Sequence, residues 1–508
     1  MSDMDLKRRV SDAITRRDFV LAESLCRQAE GRIGEPDLLL IRGVVYSAQG
    51  DLDNARAALA RAHQALPGRA DIAYNYGVIL QQCGRLAEAI QAWASATAAM
   101  PENAAAWVNL ALAMQQLADP EAAAAIYREA LKHHPTHRDL LYNYANLLFR
   151  GGELEASESL YRRLLASHGN DAAAAINYAK LLKTAGRFSE SEAFYRQAIA
   201  LGDRATLALA HFNLANLLLQ QGRWKDGFAA YEWRLQLPNA VRAPWGLPQW
   251  TPALKPGSRV LLWNDQGQGD AIMFLRFAPL LAGYRLFAFV QDSLKTLAAT
   301  APGIEAAFGP GDEPQQMDAS LPLCSLPYVL GLETVDVWDG PYLSAPQHCA
   351  VPFAERAAAG KRIGLVWAGN PKHANDANRS MRLAQFAPLF ELPGIEWCSL
   401  QLGERGSELE ASPHRERIRD LSSSLTDFSA SAALVKEFDL LISIDSAPAH
   451  LAGALGMPVW TLLPAIDNDW RWQDRGERTQ WYPTMRLFRQ ARPRDWSSVV
   501  TAMADALR

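Results

Sequence analysis

Cysteine is scarce in these 508 residues: Cys26, Cys83, Cys324, Cys349 and Cys398 are five in number, scattered, and never in a C-x-x-C pair. That excludes a disulfide framework or a cysteine zinc site and fits a reducing compartment. Neither sign of charge is in excess. Lysine and arginine total 51 against 55 acidic residues, a net charge of −4, so no basic footprint for nucleic acid is present. Apolar runs long enough to cross a bilayer are missing too. The longest candidate, 440–463, is broken by Asp445, His450 and prolines. Residues 1–9 are charged and carry no apolar h-region, so neither a signal peptide nor a membrane span is expected, and a cytoplasmic location is. With 49% hydrophobic and 21% charged residues, the composition is that of a soluble globular protein. The length calls for more than one domain.

What is present begins with a repeat. Gly50, Gly84, Ala118, Gly152 and Gly186 recur every 34 residues, and Gly222 follows after a two-residue slip. Two further columns hold small residues: Gly77, Ala111, Ala145, Ala179 and Ala215, then Ala55, Ala89, Ala123, Ser157, Ser191 and Gly227. Pro67, Pro101 and Pro135 close three of the units. Small residues let two helices cross closely, the glycine turns between them, and the proline stops the second. Period, columns and proline together resemble tetratricopeptide repeats. Six clear units are expected from about Glu35 to Ala240, after a degenerate one, as an α-solenoid whose inner face grips extended peptide. Asn75, Asn109, Asn143, Asn177 and Asn213 form one more column. A carboxamide both donates to and accepts from peptide backbone, and the column resembles the asparagine ladder of O-GlcNAc transferases. These five are the candidate acceptor-binding residues; the aromatic neighbours Tyr74, Trp107, Tyr142 and Phe212 are expected to pack.

From 241 to 257 prolines are too dense for a helix, and Trp245 and Trp250 suggest docking, so a packed connector is expected. Beyond it, short apolar runs alternate with helical stretches, the pattern of parallel sheets covered by helices. Runs at 259–263, 286–290, 361–369, 395–400, 440–444, 459–463 and 485–488 are the expected strands, with helices at 271–281 and 293–300 among those between them. The divisions expected are 1–240, 241–257, 258–350 and 351–508. The fold class is α plus α/β: a repeat solenoid, then a compact domain of two Rossmann-like halves.

Two turns carry candidate chemistry. The first follows the run at 259–263 as Asn264-Asp-Gln-Gly-Gln-Gly-Asp270, placing Gln266, Gly269 and Asp270 at the carboxyl end of a strand, where open α/β sheets bind ligands. The second is Asp445-Ser-Ala-Pro-Ala-His450. Ser446 is placed to cap a helix with Pro448 in its first turn, whose free N–H groups suit a diphosphate; His450 would add a donor. A basic loop, 370–382, offers Arg379 to offset charge on a leaving phosphate, with Lys372 in reserve and Asn370 and Ser380 as hydrogen-bonding partners. Asp467-Asn-Asp469 has the D-x-D form of a metal clamp, but three residues match it weakly. Trp470, Trp472 and Trp481 are expected to be core.

Asp445-Ser-Ala-Pro-Ala-His-Leu-Ala-Gly-Ala-Leu-Gly-Met-Pro458 resembles the donor-binding motif of ADP-heptose transferases, and Gly269-Asp270 resembles their Gly-Asp motif. The chain as a whole resembles bacterial fusions of tetratricopeptide repeats to such a GT-B half, among them flagellin glycosyltransferases. The resemblance implies that Asp270 is the base and that Asp445, Ser446, Ala447 and the backbone toward His450 hold donor phosphates. It implies inverting, metal-independent transfer from a nucleotide sugar to Ser or Thr of a protein such as flagellin, with no other cofactor. Sugar and nucleotide (NDP or CMP) stay open. So do a scaffold with a decayed catalytic half and a glycan or lipid acceptor.

Overall fold

The computed structural model describes residues 3–202, 204–313, 315–346, 353, 360–373 and 375–508; Cys349, Ala374 and the expected boundary at 350/351 lie outside them. The chain divides into two compact units, Met1–Leu181 and Leu182–Arg508.

The first unit is a series of helix pairs: α1 (Asp3–Thr15) with α2 (Phe19–Ala29), α3 (Glu35–Gln49) with α4 (Leu52–Ala65), α5 (Ala70–Gln82) with α6 (Leu86–Ala99), α7 (Ala104–Gln116) with α8 (Pro120–His133), and α9 (Arg138–Gly151) with α10 (Leu154–Ser167). Helix α11 (Ala172–Thr184) runs into the second unit. Gly50, Gly84 and Gly152 end the first helix of their pairs in the left-handed region, with φ of 84°, 74° and 85°, and Ala118 holds the same place at 58°. The second helices start from side-chain caps where the sequence supplies them: Asp51 and Asp119 accept from the amides of Asn54 and Ala122 at 3.1 and 3.0 Å. The small columns do what their size permits. A Cβ on Gly77 would lie 2.6 Å from Trp93 Nε1, and Ala55, Ala89, Ala111, Ala123 and Ala145 are fully buried.

The second unit opens with α12 (Phe188–Leu201), α13 (Arg204–Gln220) and α14 (Trp224–Tyr231) and then alternates strand and helix. A first set comprises β1 (Arg259–Trp263), α15 (Gln268–Phe274), β2 (Arg285–Phe289), α16 (Asp292–Ala298), β3 (Ile304–Phe308), β4 (Ala319–Pro322) and α17 (Leu326–Val329). A second comprises β5 (Lys361–Val366), α18 (Asp376–Arg379), α19 (Ala387–Phe390), β6 (Ile395–Ser399), β7 (Ile418–Asp420), α20 (Phe428–Val435), β8 (Leu440–Ile444), α21 (Ala447–Ala454), β9 (Val459–Leu463), β10 (Met485–Arg489) and α22 (Ser497–Leu507). The sheets run β3-β2-β1-β4 and β10-β9-β8-β5-β6-β7, with every pairing parallel. Counted from its own first strand, the six-stranded sheet has the 3-2-1-4-5-6 order of a Rossmann fold, and the four-stranded one has its 3-2-1-4 part. Such sheets bind ligands where the order reverses, at the carboxyl ends of β1 and β4 and of β5 and β8.

Besides a core that packs α19 and α22 on the six-stranded sheet, this unit has a larger one that reaches both sheets. It runs from Ala215 and Leu219 of α13 through Trp224, Phe228 and Tyr231, the first sheet, α15 and α21 to Trp470, Trp472 and Trp481. The expected boundary at 240 therefore falls elsewhere in the structure. Trp224 packs edge-on against Trp470 and Trp481 at 6.4 and 6.0 Å, which binds the last repeat into the second unit. The connector is packed, as expected. Trp250 donates its amide to Ser320 O at 2.8 Å, and Trp245 meets Phe289 and Phe308 edge-on. The helix expected at 271–281 stops at Phe274 and continues as a 3-10 turn around Pro279. No helix among the described residues is long and apolar enough to cross a membrane.

Candidate functional site

The turn after β1 is held from behind. Asn264 Nδ2 donates to Gln266 O at 3.0 Å and to Gln291 Oε1 at 3.1 Å. Asp265 is buried and takes Arg234 Nε at 2.6 Å and the Cys324 amide at 3.3 Å. Arg234 also donates to Glu232 at 2.6 Å and to Ser325 Oγ at 2.7 Å. The segment after α14 thus ties β1 to the end of β4, and the turn presents Asp270 as the third residue of α15. Asp270 Oδ2 accepts from the Gly267 amide at 2.9 Å, and Oδ1 pairs with Arg471. About a fifth of its side chain is exposed (21%). Burial pushes its carboxyl up, against the pull of Arg471.

The second switch point lies where Val366 pairs with Ser443, so the chain leaves β5 beside Asp445. Arg379 Nη1 donates to Asp445 O at 3.0 Å. Ser380 Oγ donates to Asp376 at 2.8 Å and accepts from the Gly369 amide at 3.0 Å, which folds the loop back. A Cβ on Gly369 would lie 2.7 Å from Arg379 Nη2, so glycine is what lets the guanidinium cross. Burial, reinforced by Asp469, pushes Asp445 up to about 6, with Trp472 and Arg379 pulling the other way.

Several expected roles change at this point. Ser446 occupies the cap position of α21, but its hydroxyl turns back to Ile444 O at 3.2 Å and to Ser443 Oγ at 3.1 Å, leaving the helix without a side-chain cap. Pro448 has no N–H and Ala449 donates its amide to Ser446 O at 3.0 Å, so of the first three residues the Ala447 amide alone is left for a ligand. Gly269 and Ala447 are packing residues: a Cβ on Gly269 would lie 2.8 Å from His450 Cδ2 and 3.5 Å from Ala447 Cα. His450 is no cation. It is 6% exposed and stacks on Trp472 at 5.2 Å. Its Nδ1 meets Tyr482 OH at 3.1 Å, and burial, then Arg471, push it down to about 3. Asp469 caps the turn at Trp470–Trp472 and gives both oxygens to Arg471 at 2.7 and 2.8 Å, which makes it an ion-pair partner. Gln266 is half-buried in its turn, whereas Asn370 and Lys372 are exposed, with Asn370 Oδ1 on the Lys372 amide at 3.0 Å.

In the asparagine column, Asn75 and Asn213 donate back to their own helices, to Asp71 O at 2.7 Å and Leu209 O at 2.9 Å. Asn177 donates to Tyr142 OH at 2.8 Å and Asn146 Oδ1 at 2.9 Å, a contact between repeats. Asn109 and Asn143 are half-buried.

The structure thus brings Asp270, Asp445 and His450, with Arg379 and Ser380 behind Asp445, to Asp469, which the sequence offered only as part of a D-x-D triplet, and to Arg471, to which it gave no role. The available signal was an arginine held between two tryptophans, Trp470-Arg-Trp472. Arg471 Nε is a buried donor with no hydrogen-bond partner, whereas Arg379 Nε lies 3.6 Å from the Asp376 carboxylate and Trp472 faces Asp445. Native proteins seldom leave such groups unpaired. A cavity of about 390 Å³ opens at the carboxyl ends of β6 and β7, lined among others by Gln401, Gly403, Ser407, Glu410, Asp420 and Ser422.

The chain carries tetratricopeptide repeats and, after them, parallel sheets covered by helices. Residues 46–111 and 114–181 match one tetratricopeptide repeat family and residues 208–227 another. Among curated proteins the chain is similar to Protein FlbA of Caulobacter vibrioides, 26% identical over 345 residues, which are 60% of this chain and 56% of that one. The chain therefore spans little more than half the length of this relative. Solved structures similar to it include a tetratricopeptide repeat protein from Parabacteroides merdae (18% identity, 45% of this chain, 91% of that one, TM-score 0.35). Pseudomonas aeruginosa pilF is another (19%, 39% and 91%, TM-score 0.35).

Proposed function

We propose that the chain is a glycosyltransferase that moves a sugar from a nucleotide donor to a hydroxyl of a protein, with flagellin the first candidate and the cytoplasm its place of action. The observation that carries this reading is Arg471 Nε, a buried donor without a hydrogen bond, with the Arg379 guanidinium on Asp445 O, beside the uncapped first turn of α21. Together they suit an anion, and two guanidiniums near a helix N-terminus offset the charge that grows on a leaving diphosphate. The cavity beyond β6 and β7 has room for the nucleoside, and in a GT-B arrangement the first sheet would bring the base. Asp270 takes the proton of the acceptor hydroxyl as the hydroxyl oxygen bonds to the anomeric carbon and the bond from that carbon to the phosphate oxygen breaks, with inversion. A carboxylate held up by burial suits that task, provided Arg471 releases Oδ1. Tetratricopeptide repeats bind proteins, which supports a protein acceptor over a glycan or lipid.

The engagement of both Asp270 oxygens favours a second reading, a protein-binding scaffold whose α/β unit no longer turns over. Intact-mass analysis of flagellin co-expressed with the wild-type chain and with Asp270→Asn decides between them. A sugar-sized mass added only by the wild type supports transfer. An unmodified acceptor across a set of nucleotide-sugar backgrounds supports the scaffold.

A further inference from the structure

Arg276, on the 3-10 turn after α15, is a buried guanidinium, 7% exposed, with no carboxylate partner among the described residues. Rings surround it instead: Tyr482 at 4.6 Å, Tyr342 at 4.9 Å, Trp481 at 5.4 Å and Trp338 at 5.7 Å from its central carbon. Its Nη1 donates to Trp481 O at 2.6 Å and its Nη2 to Tyr342 OH at 3.2 Å. Tyr342 OH lies 3.5 Å from Tyr482 OH, which lies 3.1 Å from His450 Nδ1. The four groups form one chain between the two sheets' helices. A buried cation kept without a counter-charge needs a reason, and the direction of this chain supplies one.

Arginine has donors and no acceptor. Its N–H to Tyr342 occupies the phenol as an acceptor, so Tyr342 has its own proton to give, and Tyr482 oxygen is the next atom along. If Tyr482 accepts there, its own proton goes to His450 Nδ1, 3.1 Å away. The cation lying over the Tyr482 ring favours that sense, because it makes the phenol a better donor. A neutral imidazole that accepts at Nδ1 must carry its hydrogen at Nε2. That edge is turned toward the first turn of α15: a Cβ on Gly269, the neighbour of Asp270, would lie 3.5 Å from Nε2. Among the described residues nothing accepts from Nε2, and it is not one of the buried atoms left without a partner.

We propose that Arg276, through Tyr342 and Tyr482, fixes His450 as a neutral imidazole protonated at Nε2, which makes Tyr482 a positioning residue. His450 then offers a fixed N–H, without a charge, to an acceptor atom of whatever binds between α15 and α21. On the glycosyl-transfer reading that atom is a phosphate oxygen of the donor, and this last step alone rests on that reading. A neutral donor discriminates by geometry, where a cation would hold any anion and slow its release.

The tautomer is read directly from long-range ¹⁵N–¹H correlations of histidine-labelled full-length protein, with the His450 signals identified by their loss in His450→Gln. The expected result is an Nε2–H imidazole that does not titrate between pH 8 and pH 5, and a mixed or Nδ1–H imidazole in Tyr482→Phe. A charged or Nδ1–H imidazole in the wild type overturns the proposal. So does an unchanged Nε2–H tautomer in Tyr482→Phe, which would mean that something else sets it. Calorimetric titration with ADP, UDP, GDP and CMP forms the second arm. If one of them binds, Tyr482→Phe should weaken it about tenfold, and equal affinity would remove Tyr482 from positioning. If none binds the wild type, the glycosyl-transfer reading fails, and the tautomer decides the relay alone.

Discussion

The Arg234 and Asp265 side chains are each 1% exposed, and Asp265 has Arg234 as its cation, while Arg234 also holds Glu232. Removing one member of such a pair strands the other, which costs about 3–5 kcal/mol. Arg234→Met should therefore lower stability by that amount in urea unfolding of the second unit's transition, and a loss below about 1 kcal/mol would show that Asp265 is not left stranded. Ala118 offers the opposite case. It holds a φ of 58° where the other repeats have glycine, a conformation that costs an L-residue about 1 kcal/mol or more. Ala118→Gly should raise the stability of the first unit by about 0.5–1 kcal/mol, after the extra freedom of the unfolded glycine is counted. His450 adds a pH dependence. Its folded value of about 3 lies below the unfolded value of about 6.5, so the unfolded chain takes up the proton first. The stability that neutral His450 contributes is complete above about pH 6.5 and is lost as pH falls toward 3, by at most about 1.4 kcal/mol per unit. Asp445, held up at about 6, works the other way between pH 6 and 4. The difference in unfolding free energy between wild type and His450→Gln should thus shrink as pH falls from 7 to 5. A constant difference would mean that His450 takes up its proton as readily in the fold as in the unfolded chain.

At the scale of elements, what could be seen in the sequence followed from how much side-chain pattern each element carries. The repeat pairs were legible because a turn glycine, two small columns and a proline recur together. Strands β8 and β9 were legible to the residue because each is a buried run. Strand β7, Ile-Arg-Asp, has one apolar residue, and β3 carries Glu305 as its second residue; a short edge strand leaves little pattern. The site was half legible. Glycine turns and cap residues announce themselves locally, so Asp270, Asp445 and Arg379 could be picked out. Their partners arrive from remote segments: Arg471 lies 201 residues from Asp270, and no spacing rule connects them. The same gap hid the reason for Gly269, which is an α15–α21 contact. Gly269→Ala puts a Cβ 2.8 Å from His450 Cδ2, and such overpacking costs about 1–3 kcal/mol. Gly68→Ala, in open space, should change stability by about 0.5 kcal/mol or less. Equal melting temperatures for the two variants would show that the helices part freely.

At the scale of the whole molecule, the question is whether the repeats hold an acceptor for the α/β unit. The asparagine column now separates into two kinds of residue. Asn177 ties neighbouring repeats together through Tyr142 and Asn146, so replacing it would disturb the arm itself, and it cannot serve as a clean probe. Asn109 and Asn143 have no such tie among the described residues and are half-buried, so their carboxamides are free to meet a peptide backbone. One hydrogen bond is worth about 0.5–1.5 kcal/mol net. Replacing both by alanine should then weaken acceptor binding by about five- to a hundredfold. The loss should fall on acceptor KM with turnover at saturation kept, because a contact remote from the chemistry serves ground and transition states alike. Nucleotide affinity should not move. Normal modification of co-expressed flagellin at limiting acceptor would reduce the column to a packing feature of the repeats. A fall in turnover with KM unchanged would instead place these residues in the chemistry.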